Sequence, residues 1–133
     1  MAVAENKRLL QHIYEELSKG NVQALLDNLA EDVRWNIIGT TVLSGTFRGK
    51  QEVIDKLLKP LRARLAAGPV VFTIDRLIAE GDYVAMQARG RATSRSGRPY
   101  NNTYCIVARI ADGKVKEMTD YADTELVTSA LGA

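Results

Sequence analysis

The chain has 133 residues, enough for one domain that buries roughly 65–70% of its unfolded surface without help from metals or disulfides. Eighteen Lys and Arg against 16 Asp and Glu leave a formal charge of +2, far below that of a dedicated nucleic-acid binder. A single cysteine, Cys105, leaves no internal disulfide, CxxC pair or zinc set. With neither a secretory leader nor a run of 18 apolar residues, a cytoplasmic protein is expected, away from membranes and nucleic acid.

Leu9, Leu10, Ile13, Tyr14 and Leu17 recur at helical spacing between Glu5 and Ser18, and Lys19-Gly20 supplies a stop. Asn21 is placed to cap a second, short helix with Val22, Leu25, Leu26 and Leu29 on its buried side. Val33, Trp35 and Ile37 then alternate with Arg34 and Asn36, the period of a half-buried strand that turns Trp35 inward. After a short edge piece over residues 44–49, a third helix turns Val53, Ile54, Leu57, Leu58, Leu61 and Leu65 inward, with Pro60 expected to kink or restart it. Past Gly68-Pro69 come four strands, Val70 to Ala79, Tyr83 to Thr93, Tyr100 to Ile110 and Val115 to Asp123, joined by links short enough for antiparallel hairpins. The order predicts one α+β domain over residues 1–133, three helices covering one face of a strongly curved, mostly antiparallel sheet.

The last hairpin carries an awkward carboxylate. Asp120 sits mid-strand, where aspartate is disfavoured unless a partner or a task holds it. A two-residue Asp112-Gly113 turn sets it opposite Cys105, and a three-residue Ala111-Asp112-Gly113 loop sets it opposite Tyr104; local sequence leaves both open.

Ala-Glu-Asp-Val-Arg-Trp after two helices, Leu-Ser-Gly-Thr-Phe-Arg-Gly before a third, and the Asp-Gly-Lys-Val-Lys-Glu hairpin ending in Asp-Tyr-Ala-Asp together resemble the SnoaL-like family. That family shares its cone-shaped fold with ketosteroid isomerase and nuclear transport factor two, and the likeness runs from about Asn6 to Leu126. The resemblance implies a deep apolar pocket and a homodimer paired through the outer sheet face, here Thr103, Cys105, Val107, Thr119 and Tyr121. It also favours the register opposite Tyr104, because similar polyketide cyclases carry an acid/base aspartate at the position of Asp120. One face then holds Asn102, Tyr104, Ile106, Ala108, Met118, Asp120 and Ala122.

The same likeness shows departures. The base, oxyanion-aspartate and helix-tyrosine positions of ketosteroid isomerase read Ile37, Ile106 and Ile13, and Tyr14 lies one residue, about 100°, round the helix. The cyclases' assisting histidine also falls at Ile106.

Asp120 is therefore the candidate catalytic acid or base, with Tyr104 or Asn102 holding a ligand oxygen and Trp35, Met86, Met118, Ile106 and Tyr14 as further ligand contacts. His12 lies among Arg8, Glu15 and Glu16 on a polar helix face, and a lone histidine makes no metal site. The expected partner is a small, largely apolar, oxygen-bearing molecule. The expected chemistry is cofactor-free, of isomerase, cyclase, or hydrolase or dehydratase type; the alternative is a non-catalytic small-molecule-binding or dimerisation module.

Overall fold

The computed structural model describes residues 2–132. The chain runs α1 (Ala2–Ser18), α2 (Val22–Asn28), β1 (Leu29–Ile37), β2 (Gly45–Arg48), α3 (Lys50–Glu52), a π-helical stretch (Val53–Leu58), α4 (Lys59–Arg64), β3 (Val71–Glu80), β4 (Tyr83–Arg91), β5 (Thr103–Ala111), β6 (Lys114–Ala122) and α5 (Thr124–Leu131). Its six strands form one curved sheet in the order β2-β1-β6-β5-β4-β3. Every neighbouring pair is antiparallel except β1 with β6, which is parallel. A parallel pair needs a long crossover, and the third helix and the β3–β5 meander supply it.

The inner face of the sheet and the apolar stripes of the helices close one core. Leu10 and Ile13 of α1 meet Val84 and Met86 of β4, Ile106 and Ala108 of β5, and Val33 and Met118 of the central strands, all of them buried. Burying such side chains contributes about 1.5–3 kcal/mol each, which is why the short α2 holds although its expected cap is absent. Asn21 does not bond the helix N-terminus; its amide donates to Glu16 Oε1 at 3.0 Å. Val22 is correspondingly exposed, and Leu29 already belongs to β1.

The third helix is interrupted before Pro60, as expected of a proline inside it. Pro60 cannot donate to the carbonyl four residues back, and its ring crowds that group. The turns before it widen to the π pattern over Val53–Leu58, and the α pattern resumes at α4 with the proline in its first turn. Val53 and Leu57 stay buried throughout. The fourth helical element, α5, is an addition to the expected three. Asp123 caps it by accepting from Leu126 N at 3.2 Å, and Val127, Ala130 and Leu131 pack with Leu43, Leu65 and Tyr100 in a second apolar cluster. Arg64 and Arg98 donate to its last carbonyls, at Leu131 and Ser129, over 2.7 and 2.9 Å.

Candidate functional site

Asp120 pairs with Ile106, a register that neither hairpin reading anticipated. The turn is the two-residue one, Asp112 and Gly113 both having positive φ, 54° and 71°, as a type I′ turn requires. Continued without interruption, that turn sends Asp120 to the outer face beside Cys105. Between the pairs Ile110↔Val115 and Arg109↔Glu117, however, β6 holds one extra residue, Lys116. This β-bulge changes the parity of the strand, so Val115, Met118 and Asp120 all face inward. The bulge does what the three-residue loop was expected to do.

Inside the cone lies a cavity of about 630 Å³, bounded by α1, α2, the bent third helix, β1, the inner face of β3, β5 and β6, and α5. Its walls are mostly apolar, with Ile37, Ile38, Leu57, Leu58, Phe72 and Ile106 prominent. Asp120 reaches it between two isoleucines, Ile37 on the parallel partner strand and Ile106 on the antiparallel one. Among the described residues its single hydrogen-bond partner is Trp35, whose Nε1 donates to Oδ1 at 3.0 Å. Its other oxygen is left facing the cavity.

The carboxyl is half-buried because the cavity admits solvent to one edge, yet protein surrounds it on every other side, and that enclosure governs its acidity. Burial raises its pKa to about 7, against a smaller opposing pull from the Trp35 hydrogen bond, with no basic side chain contributing. Burial, and then the nearby Asp120, holds the Tyr14 phenol well above its ordinary range. Near neutral pH the carboxyl can therefore both give and take a proton, while the phenols remain donors.

An aromatic wall faces the carboxyl. Tyr14 meets Phe72 edge-on, with ring centroids 4.9 Å apart, and Phe72 meets Tyr104 at 5.8 Å. Tyr14 lines the cavity while, among the described residues, its hydroxyl reaches only the thioether of Met118, at 3.5 Å, a weak acceptor. Ile13, beside it on α1, lies fully in the core. Of the sequence candidates, the fold thus brings Asp120, Trp35, Tyr14, Tyr104 and Ile106 together around the cavity.

It withdraws three others. Met86 and Met118 are 0% and 1% exposed and form the layer behind the wall, because the sheet's curvature leaves α1 lying on them. Asn102 is buried too, and its amide is engaged by Tyr100, Thr103 and Asp123. It ties the start of β5 to the end of β6 instead of facing a ligand. Phe72 and Tyr100, which also line the cavity, carried no chemical signal in sequence; only the alternation of Phe72 with Ile74 marked it as inward. His12 is exposed, and among the described residues no cluster of His, Cys, Asp or Glu could hold a metal. No helix among them is long and apolar enough to cross a membrane.

The model of the SnoaL-like domain matches residues 10–118, from α1 into β6 as far as Met118. The chain belongs to the SnoaL-like family. An uncharacterized protein of Mycobacterium tuberculosis is 24% identical over 116 residues, covering 86% of this chain and 87% of its own. Among solved structures, an NTF2-like protein of unknown function from Burkholderia pseudomallei has a TM-score of 0.86 at 24% identity, covering 97% of this chain and 98% of that one. A putative SnoaL-like polyketide cyclase from Jannaschia has a TM-score of 0.80 at 18% identity, covering 98% and 94%. At these identities the structural likeness establishes the fold.

Proposed function

We propose that the protein binds a small, largely apolar, oxygen-bearing molecule in the cone and moves a proton on it through Asp120 without a cofactor. The observation that carries this reading is a lone carboxyl in an apolar cavity, held by Trp35, with its pKa raised to about 7 and one oxygen free toward the ligand space. The likeness to a putative polyketide cyclase supports the choice of an oxygenated, ring-bearing ligand. Asp120 abstracts a proton next to a carbonyl, and Tyr14, whose hydroxyl has only a sulfur partner, steadies the developing enolate. A direct test follows α-hydrogen exchange of 2-tetralone in heavy water by proton NMR. Wild-type protein is expected to exceed Asp120→Asn clearly in rate; equal rates would leave binding without chemistry as the function. That second reading is favoured by Ile37 and Ile106, apolar where related enzymes place catalytic groups.

We also propose that two copies pair through the outer sheet face. There Ile78, Ala85, Val107 and Thr119 form one cross-strand row, with Tyr83 and Tyr121 half exposed beside it. Light scattering is expected to give a dimer that Val107→Asp converts to a monomer. A wild-type monomer at high micromolar concentration would refute it.

A further inference from the structure

One strand over from Asp120, at the start of β5, lies a second polar group whose proton directions are fixed by its partners. Asn102 Oδ1 accepts the backbone N–H groups of Thr103 and Asp123, at 2.8 and 3.1 Å. Backbone N–H groups can only donate, so the amide is locked in one orientation, and Nδ2 donates on its other side, to Asp123 O at 3.2 Å and Tyr100 Oη at 3.1 Å. Tyr100 Oη also receives the hydroxyl of Tyr104 at 3.4 Å. Two phenols carry two protons. One joins them, and among the described residues nothing accepts the other.

Position decides where that spare proton goes. Both rings border the cavity, but Tyr100 is 4% exposed and Tyr104 is half-buried, so Tyr104 is the more open of the two. The Tyr104 ring lies back against Gly90 of β4, where a Cβ would come within 2.9 Å of its Cε2, so glycine alone lets the hydroxyl sit where it does. Burial, then Tyr100, pushes the Tyr104 phenol well above its ordinary range and keeps it a donor.

Resting on the small-molecule reading above, we propose that Tyr104 is a second ligand site, which takes an acceptor oxygen, a carbonyl or phenolate, of a molecule whose reacting carbon lies at Asp120 and whose enolate oxygen lies at Tyr14. When that oxygen arrives, each hydroxyl turns about its C–O bond. Asn102 N–H then points to Tyr100, Tyr100 O–H to Tyr104, and Tyr104 O–H to the ligand, a chain of donors running one way and strengthened by its own polarisation. No covalent bond changes. Tyr104 touches the ligand; Tyr100 and Asn102 act through it as positioning residues. The substrate class narrows to molecules of ring-system size with two oxygens on an apolar body, the one at Tyr104 needing no proton of its own.

Binding of 2-acetonaphthone and of naphthalene, the same body with and without a carbonyl, tests the site by fluorescence titration and by the infrared carbonyl stretch of the bound ketone. Wild-type protein is expected to prefer the ketone by roughly 3- to 10-fold and to lower its stretching frequency. Tyr104→Phe, which keeps the ring against Gly90, removes both the preference and the frequency shift. Tyr100→Phe leaves each reduced, and Asp120→Asn leaves both in place. A wild-type preference and frequency shift surviving in Tyr104→Phe overturn the proposal, as does their loss in Asp120→Asn, which would seat the carbonyl at Asp120 instead. Equal binding of both compounds by wild type refutes this site alone. Failure of wild type to bind either compound refutes the apolar-ligand reading and this site with it.

Discussion

Two carboxylates on β6, three residues apart, have opposite fates. Glu117 lies on the outer face between Arg109 and Arg34, with contacts of 2.5 and 2.6 Å, and the Arg109 hydrogen bond above all lowers its pKa. Asp120 lies on the inner face with no cation among the causes of its shift, and burial raises its pKa to about 7. A carboxylate's chemistry here is decided by the face of the sheet it occupies, and the face by a single bulge at Lys116. One strand therefore supplies a structural ion pair on one side and a proton-transfer group on the other.

The contrast can be broken most severely by removing what holds Asp120. Trp35→Phe deletes its hydrogen-bond donor and part of a buried ring. It is expected to cost about 1–3 kcal/mol in urea denaturation and to raise the Asp120 pKa further, seen by carboxyl carbon NMR. An unchanged pKa would mean that the indole is only packing.

Asp120→Asn should have the opposite sign. A carboxyl whose folded pKa is raised from about 4 to about 7 costs stability increasingly as pH climbs through that window, and the cost is complete above it. Asparagine keeps an acceptor for Trp35 without that cost. The variant is expected to be more stable than wild type by about 1–2 kcal/mol at pH 8, less than the whole shift implies because water reaches one edge, and no more stable at pH 4. Thermal melts across this range decide it; lower stability at pH 8 would mean an ionised, paired carboxylate.

Glu117→Gln gives the mirror image on a smaller scale. Its lowered pKa contributes stability above the ordinary glutamate value near 4.3, lost as pH falls through the folded one. The variant is expected to lose about 0.5–1 kcal/mol at neutral pH, less in high salt, and nothing in acid. The smallest effect is expected from deleting Lys116, which removes the extra residue and the bulge together and so keeps Asp120 opposite Ile106. Its carboxyl should still titrate near 7. A return to the ordinary aspartate range would show that the bulge holds more than register.

Much of this was written in the chain. Periods of 3.6 in α1 and of 2 in β1 and the meander are local consequences of which side chains avoid water, and they specified the α+β layers and the inward turn of Trp35, whereas the face shared by Tyr104 and Ile106 followed from the family resemblance. Asp120 stood out for the same local reason, a carboxylate in a strand. The Asp123 cap and the Leu126, Val127, Ala130 spacing of α5 were legible too, though overshadowed by the hairpin before them.

What only the tertiary structure decided depends on groups far apart in sequence. The hairpin turn alone could not give the face of Asp120, because one extra residue within β6 reverses it, and that bulge forms where inward packing of both Val115 and Met118 outweighs a broken ladder. Whether Met86, Met118 and Asn102 touch the cavity depended on the bend of the sheet and the seat of α1, which put the methionines behind the wall and closed the amide on Tyr100 and Asp123. Local periodicity tells a side chain which way to point, but burial is a sum over neighbours brought by the whole chain, and it is burial that turns Asp120 from an ordinary acid into one that exchanges its proton near neutral pH.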